Sequence, residues 1–158
     1  MAAAVIGREG YHALSVSPNQ ILLHLTISNK CGQSFRWHQR QKRRTDPFPG
    51  PVSETQLGSD ARFETEWSYC LHDRVVCLHQ DIKRGQILFK PIFPNDRIVE
   101  PSDLETTEAW VRDYLNLDVP LEQLYTVWSG RDPVFAELAG RFSGIRMLRQ
   151  DPWECLIS

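Results

Sequence analysis

The stretch Glu66-Trp-Ser-Tyr-Cys-Leu-His-Asp-Arg-Val-Val-Cys-Leu-His-Gln80 decides the fold class. Trp67, Tyr69 and Leu71 sit at every second position, so they share one face of an extended arm. With His72–Val75 as the turn, Val76 and Leu78 join that face from a returning arm, and Cys70 falls opposite Cys77. Asp73-Arg74 is not a favoured pair for a two-residue turn, so the register is less constrained than the face.

Working outward, Ile21-Leu-Leu-His-Leu-Thr-Ile27 places Ile21, Leu23, Leu25 and Ile27 at period two, which predicts a half-buried strand. Phe35 and Trp37 predict another short extended segment after Gly32. Residues 38–62 read as an exposed loop. They join a basic run (Arg40, Lys42, Arg43, Arg44) to Pro47, Pro49, Gly50 and Pro51. That run suits a solvated loop, a nuclear-import signal or a phosphate contact. A further strand is expected at Gln86–Phe93, with Pro91 and Pro94 marking an edge or its end.

Helical signals take over after residue 100. Ser102 and Glu105 have the spacing of a capping box, and Leu104, Thr107, Trp110, Val111, Tyr114 and Leu115 form one apolar stripe. A second helix follows Pro120, with Leu121, Leu124, Tyr125 and Trp128 inward. A third begins at Asp132-Pro133, a cap followed by a first-turn proline. It carries Phe135, Leu138, Ala139 and Phe142 and ends at Ser143-Gly144. A fourth starts at Asp151-Pro152 with only Trp153–Ser158 to run on, so the chain reads as interrupted mid-helix, a natural end packed on the body being the alternative. Strands first and helices after predict an α+β fold.

At 158 residues the chain is one domain's worth, with 41% hydrophobic and 24% charged residues, which excludes disorder throughout. No run approaches the roughly 18 apolar residues of a membrane span, and no membrane partner is expected. The short apolar start, cut off by Arg8 and Glu9, lacks the basic segment of a secretory signal. The net charge of −2 is uneven: residues 1–95 hold 12 basic and 8 acidic side chains, residues 96–158 hold 6 and 12. A nucleic-acid surface would therefore be a local patch. Four cysteines (Cys31, Cys70, Cys77, Cys155) are too few and scattered for a disulfide framework. A reducing, intracellular location fits them.

Cys70, His72, Cys77 and His79 are zinc-ligand types, but two straight strands would hold the histidines too far apart for one tetrahedral ion. No metal and no cofactor is expected. Lys30, Lys42, Lys83 and Lys90 occupy polar or turn-like settings, without the desolvation that makes a Schiff-base lysine. No catalytic residue is assigned.

Three collinear blocks add a resemblance. Cys31-Gly-Gln-Ser-Phe-Arg-Trp37, Tyr114–Val119 with Leu121–Tyr125, and Gly144-Ile-Arg-Met-Leu-Arg-Gln-Asp-Pro-Trp-Glu-Cys-Leu156 resemble the eukaryotic-type 8-oxoguanine DNA glycosylases. The resemblance covers residues 20–158. It implies a twisted antiparallel sheet with helices, similar to half of a TATA-binding protein, over residues 12–120. It implies the first helices of a truncated helical glycosylase domain over 121–158. It further implies base-excision repair of double-stranded DNA containing oxidised guanine, by a monomer located in the nucleus or mitochondrion. The family is a bifunctional glycosylase/AP lyase; its catalytic lysine and aspartate lie in a helix-hairpin-helix that this sequence does not contain.

Within the first block the resemblance assigns lesion-base recognition to the backbone carbonyl of Gly32. Guanine N7 is an acceptor, whereas 8-oxoguanine carries a donor N7–H. A carbonyl therefore attracts the lesion and meets guanine lone pair to lone pair. A glycine also leaves room for close approach, and a plain turn or bulge glycine is the competing reading. Gln33, Ser34, Phe35, Arg36 and Trp37 support the motif around the base pocket, with Phe35 and Trp37 expected in the core and Arg36 as a structural hydrogen bonder. Arg146 and Arg149 match family arginines, for DNA contact or structural pairing. Two other functions stay open: a catalytically inactive short product that binds damaged DNA or another protein, and a glycosylase for alkylated purines.

Overall fold

The computed structural model describes residues 6–7, 10–17, 19–28, 32–43 and 63–157. Its strands are β1 (Ile6–Gly7), β2 (Tyr11–Ser15), β3 (His38–Arg43), β4 (Phe63–Cys70), β5 (Val75–Asp81) and β6 (Gln86–Ile92). They form one antiparallel sheet in the order β1-β2-β6-β5-β4-β3. The helices are α1 (Leu23–Thr26), α2 (Pro101–Tyr114), α3 (Leu121–Arg131), α4 (Pro133–Ala139) and α5 (Pro152–Ile157). The fold is α+β.

The β4–β5 hairpin puts Trp67 opposite Leu78 and Tyr69 opposite Val76, all four buried. Cys70 faces Val75 rather than Cys77. The Leu71 amide bonds the Arg74 carbonyl at 2.8 Å, so the turn centres on His72-Asp73. A two-residue register shift leaves every side chain on its expected face, because the strand repeat is two. β6 lies between β2 and β5, yet its pairing with β2 stops at Phe89. Pro91 pairs only with Val76 of β5, so its missing N–H faces no partner strand at that point.

Two expectations upstream fail. Residues 21–27 are not a strand: Leu23, Thr26 and Ile27 turn inward at helical spacing, while Leu25 is half-buried. The Gln80 side chain decides this. Its amide donates to the Ile21 carbonyl at 2.8 Å and its oxygen accepts from the Leu23 amide at 2.8 Å, standing in for a neighbouring strand. Residues 38–43 are not a loop but β3, the edge strand paired along its length with β4. Its polar sequence shows no apolar alternation because it lies at the sheet border. The remainder of the expected loop, 44–62, lies outside the described residues.

α2 covers the inner sheet face with Thr107, Val111 and Tyr114 buried, followed by Leu115. Its capping box is Glu100 with Asp103, two residues earlier than expected, because Pro101 takes the first helical position. Arg97 pairs with Asp103 at 2.9 Å, and this, with the Glu100 amide, holds the Asp103 carboxyl below its usual range. Asp132 caps α4 as expected, accepting from the Val134 and Phe135 amides. α4 stops at Ala139 instead of running to Gly144. Trp128, expected inward, is 42% exposed. No helix among the described residues is long and apolar enough to cross a membrane.

Candidate functional site

The turn after α1 carries Gly32 in the left-handed region, φ 64°. A Cβ built there would meet nothing within 4 Å, and the residue is exposed. Backbone conformation, not crowding, is therefore what calls for glycine. Above its backbone the space is open.

The residues that follow are tied down one by one. The Gln33 side chain donates to the Arg146 carbonyl at 2.8 Å and accepts from the Leu148 amide at 3.0 Å. Ser34 is buried and accepts from the Tyr114 hydroxyl at 3.0 Å, which in turn accepts from the Trp37 indole at 3.1 Å. Trp37 is 3% exposed, packed among Tyr69, Trp110 and Tyr114. Arg36 donates to the Cys70 carbonyl at 3.1 Å and lays its guanidinium over the Tyr69 ring. Phe35, expected in the core, is 52% exposed. With Ser34 and Trp37 both turned inward, the chain leaves Phe35 on the solvent side.

The first and third sequence blocks meet here. Residues 144–149 run as a strap between α1, the Gly32 turn and the end of α2. The Gly144 carbonyl accepts from the Leu22 amide and the Thr26 hydroxyl. At φ 78° a Cβ on Gly144 would lie 2.9 Å from the Leu22 nitrogen, so the strap can approach only as glycine. Further on, the Arg149 amide bonds the Tyr114 carbonyl at 2.9 Å. Arg146 is buried, and its guanidinium donates to the carbonyls of Gln20, Asn116 and Val119 and to the Gln20 side chain. Burial lowers its pKa, partly offset by Asp118. This arginine is spent on holding the chain together. Arg149 is half-exposed and pairs with Asp113 and the Asn116 side chain.

A cleft of about 400 Å³ opens beside this region, between Arg36, Tyr69, His72, Trp110, Arg149 and Asp151. Its arginines are already engaged, and Asp151 caps α5 by accepting from the Trp153 amide. Sequence reading missed Gln20, Gly144 and Leu148 as parts of this assembly. A glycine opening the block Gly-Ile-Arg-Met-Leu-Arg was the available signal for Gly144; nothing local marks Gln20.

On the other sheet face Tyr11, Cys77 and Leu88 form a small cluster. The Tyr11 hydroxyl donates to buried Glu66, which also takes Arg40 at 2.5 Å; burial, then Glu66, raises the Tyr11 phenol pKa.

Fold and turn together define a class: an α+β domain that presents an exposed, left-handed glycine directly before Gln33, Ser34 and Trp37, which are bonded to the strap and to α2. The family model described as 8-oxoguanine DNA glycosylase, N-terminal domain, matches residues 13–156. The chain is 29% identical over 153 residues to the N-glycosylase/DNA lyase OGG1 of Arabidopsis thaliana, covering 96% of this chain and 33% of that protein. It is also 29% identical over 146 residues to the N-glycosylase/DNA lyase of Saccharomyces cerevisiae, covering 92% of this chain and 32% of that one. The chain thus spans about a third of the length of these curated relatives. It belongs to the 8-oxoguanine DNA glycosylase N-terminal domain family.

Proposed function

We propose that this chain is the lesion-docking part of a base-excision repair glycosylase/lyase, and that it reads 8-oxoguanine through the Gly32 carbonyl. The observation that carries the reading is the Gly32 turn: exposed, at positive φ, with open space above it and rigid neighbours below. The lesion's N7–H donates to that carbonyl; guanine, with an acceptor at N7, is repelled. The target base reaches the turn only after leaving the duplex stack. Arg146 holds the turn's support, and Arg149, half-exposed, would meet a phosphate only by leaving its pairing with Asp113. In this proposal the attacking lysine and its partner aspartate are supplied from outside this chain, which spans about a third of its relatives' length.

Amide shifts in a ¹⁵N-labelled sample test the reading even if binding is weak. The Gln33 amide shares a peptide unit with the Gly32 carbonyl, so it should shift on titration with a duplex bearing 8-oxoguanine opposite cytosine. The same duplex with guanine should move it far less. Equal shifts with both duplexes would remove Gly32 from lesion recognition. Borohydride treatment of the lesion mixture should trap no covalent adduct; an adduct would mean that a lysine or the amino terminus of this chain attacks the sugar.

A further inference from the structure

We infer that the side chain of Gln33 is the positioning residue that sets the direction of the Gly32 carbonyl; its consequence for lesion choice rests on the reading of Gly32 above. The carbonyl of Gly32 lies in one rigid plane with the nitrogen and Cα of Gln33. Gly32 supplies no packing of its own, since nothing approaches within 4 Å of where a Cβ would stand. Among the described residues, the plane is held from its Gln33 end. Two bonds to the strap do this, at 2.8 Å to the Arg146 carbonyl and at 3.0 Å to the Leu148 amide.

The residue type fits the task. One side-chain end must offer a donor and an acceptor on two neighbouring atoms at the end of a flexible stem, which the glutamine amide does without a charge. Glutamate would present oxygen to the Arg146 carbonyl, methionine would offer neither bond, and asparagine is one methylene too short to bridge both partners. The strap is itself immobilised, because Arg146 is bonded to Gln20, Asn116 and Val119 and Gly144 to Leu22. On the following side Ser34 is 1% exposed and bonded to Tyr114. With firm anchors on that side, the Gln33 clamp is, among the described residues, the element that orients the peptide.

A merely structural clamp and a positioning clamp differ in what they change. Loss of structure weakens the response to lesion and guanine duplexes alike. Loss of position lowers their ratio, by up to about tenfold for one hydrogen bond. The experiment uses this 158-residue chain as wild type, Gln33→Met and Gln33→Asn, the last serving if the methionine variant does not fold. Residual dipolar couplings report the orientation of the residue-33 N–H, and titration with the two duplexes gives the ratio. In the variants the residue-33 coupling should change or average while sheet couplings persist, and the ratio should fall toward one. An unchanged coupling overturns the inference. So does a changed coupling with an unchanged ratio. If wild type shows no preference at all, the Gly32 reading fails by itself and the coupling alone decides whether Gln33 orients the peptide.

Discussion

The sheet with α2 and the α3–α4 hairpin each carry a cluster of aromatic rings, but only the first closes over its own. Trp37, Tyr69 and Tyr114 are 3–4% exposed with Trp110 half-buried beside them, whereas in the hairpin Tyr125 and Phe135 are half-buried and Trp128 is 42% exposed. Both clusters have rings in contact: Trp110 stacks on Tyr114 at 5.0 Å, and Tyr125 meets Phe135 at 5.3 Å. The difference is geometrical. A sheet offers a broad apolar face that one long helix and a strap can cover. Two short helices share a single seam, so the residues on their far sides stay outside. Stability is therefore concentrated in the sheet half, and the helical hairpin is held to it mainly at its beginning. There the Leu121 amide bonds Gln20 and Glu122 takes the Ser17 hydroxyl.

The strap at Gly144 is where this comparison breaks most easily. Gly144→Ala introduces a Cβ at 2.9 Å from the Leu22 nitrogen and 3.0 Å from the Ile21 carbonyl carbon, at a φ that side chains rarely adopt. Backbone cannot yield as a flexible side chain would. The expected cost is about 2–5 kcal/mol, from overpacking plus strained backbone. Urea unfolding of the variant would show it; a change below about 0.5 kcal/mol would mean that the strap is not seated as described.

Truncating one core residue and one hairpin residue sharpens the contrast. Phe89→Ala empties a fully buried site on β6 and should cost about 3–5 kcal/mol. Leu138→Ala removes a side chain already 43% exposed and should cost less than about 1 kcal/mol. Comparable losses in thermal or urea unfolding would show the hairpin to be as much a core as the sheet.

What the sequence made legible follows the same division. Trp67, Tyr69, Val76 and Leu78 announce the hairpin because burial on one face imposes a period of two, and that period is blind to a register slip of two. The Ile21–Ile27 stretch misleads because its buried positions suit a strand until Gln80, nearly sixty residues later, supplies the bonds a neighbouring strand would have made. β3 escapes notice because an edge strand of polar residues is held by backbone bonds, which no composition reports. In the site, the motif from Gly32 to Trp37 stands out as a resemblance, yet its clamp does not. Gln33 reaches partners 113 and 115 positions away, and only folding brings them within 3.0 Å. Phe35 shows the reverse error: aromatic character alone suggested burial, and the inward turn of both Ser34 and Trp37 excluded it.

The smallest effect separates local from global stability in the helical hairpin. Asp132 accepts from the Val134 amide at 2.8 Å and the Phe135 amide at 3.1 Å, satisfying donors that open the seven-residue α4. Asp132→Ala should cost about 1 kcal/mol of helix stability. A helix this short has little cooperative reserve, and α4 leans on α3 rather than on the sheet. The loss should therefore appear as faster amide exchange confined to α4, with the unfolding midpoint of the sheet half almost unmoved. A shift of that midpoint by the full amount would show that the hairpin melts together with the sheet. The two regions would then be one cooperative unit despite their unequal burial.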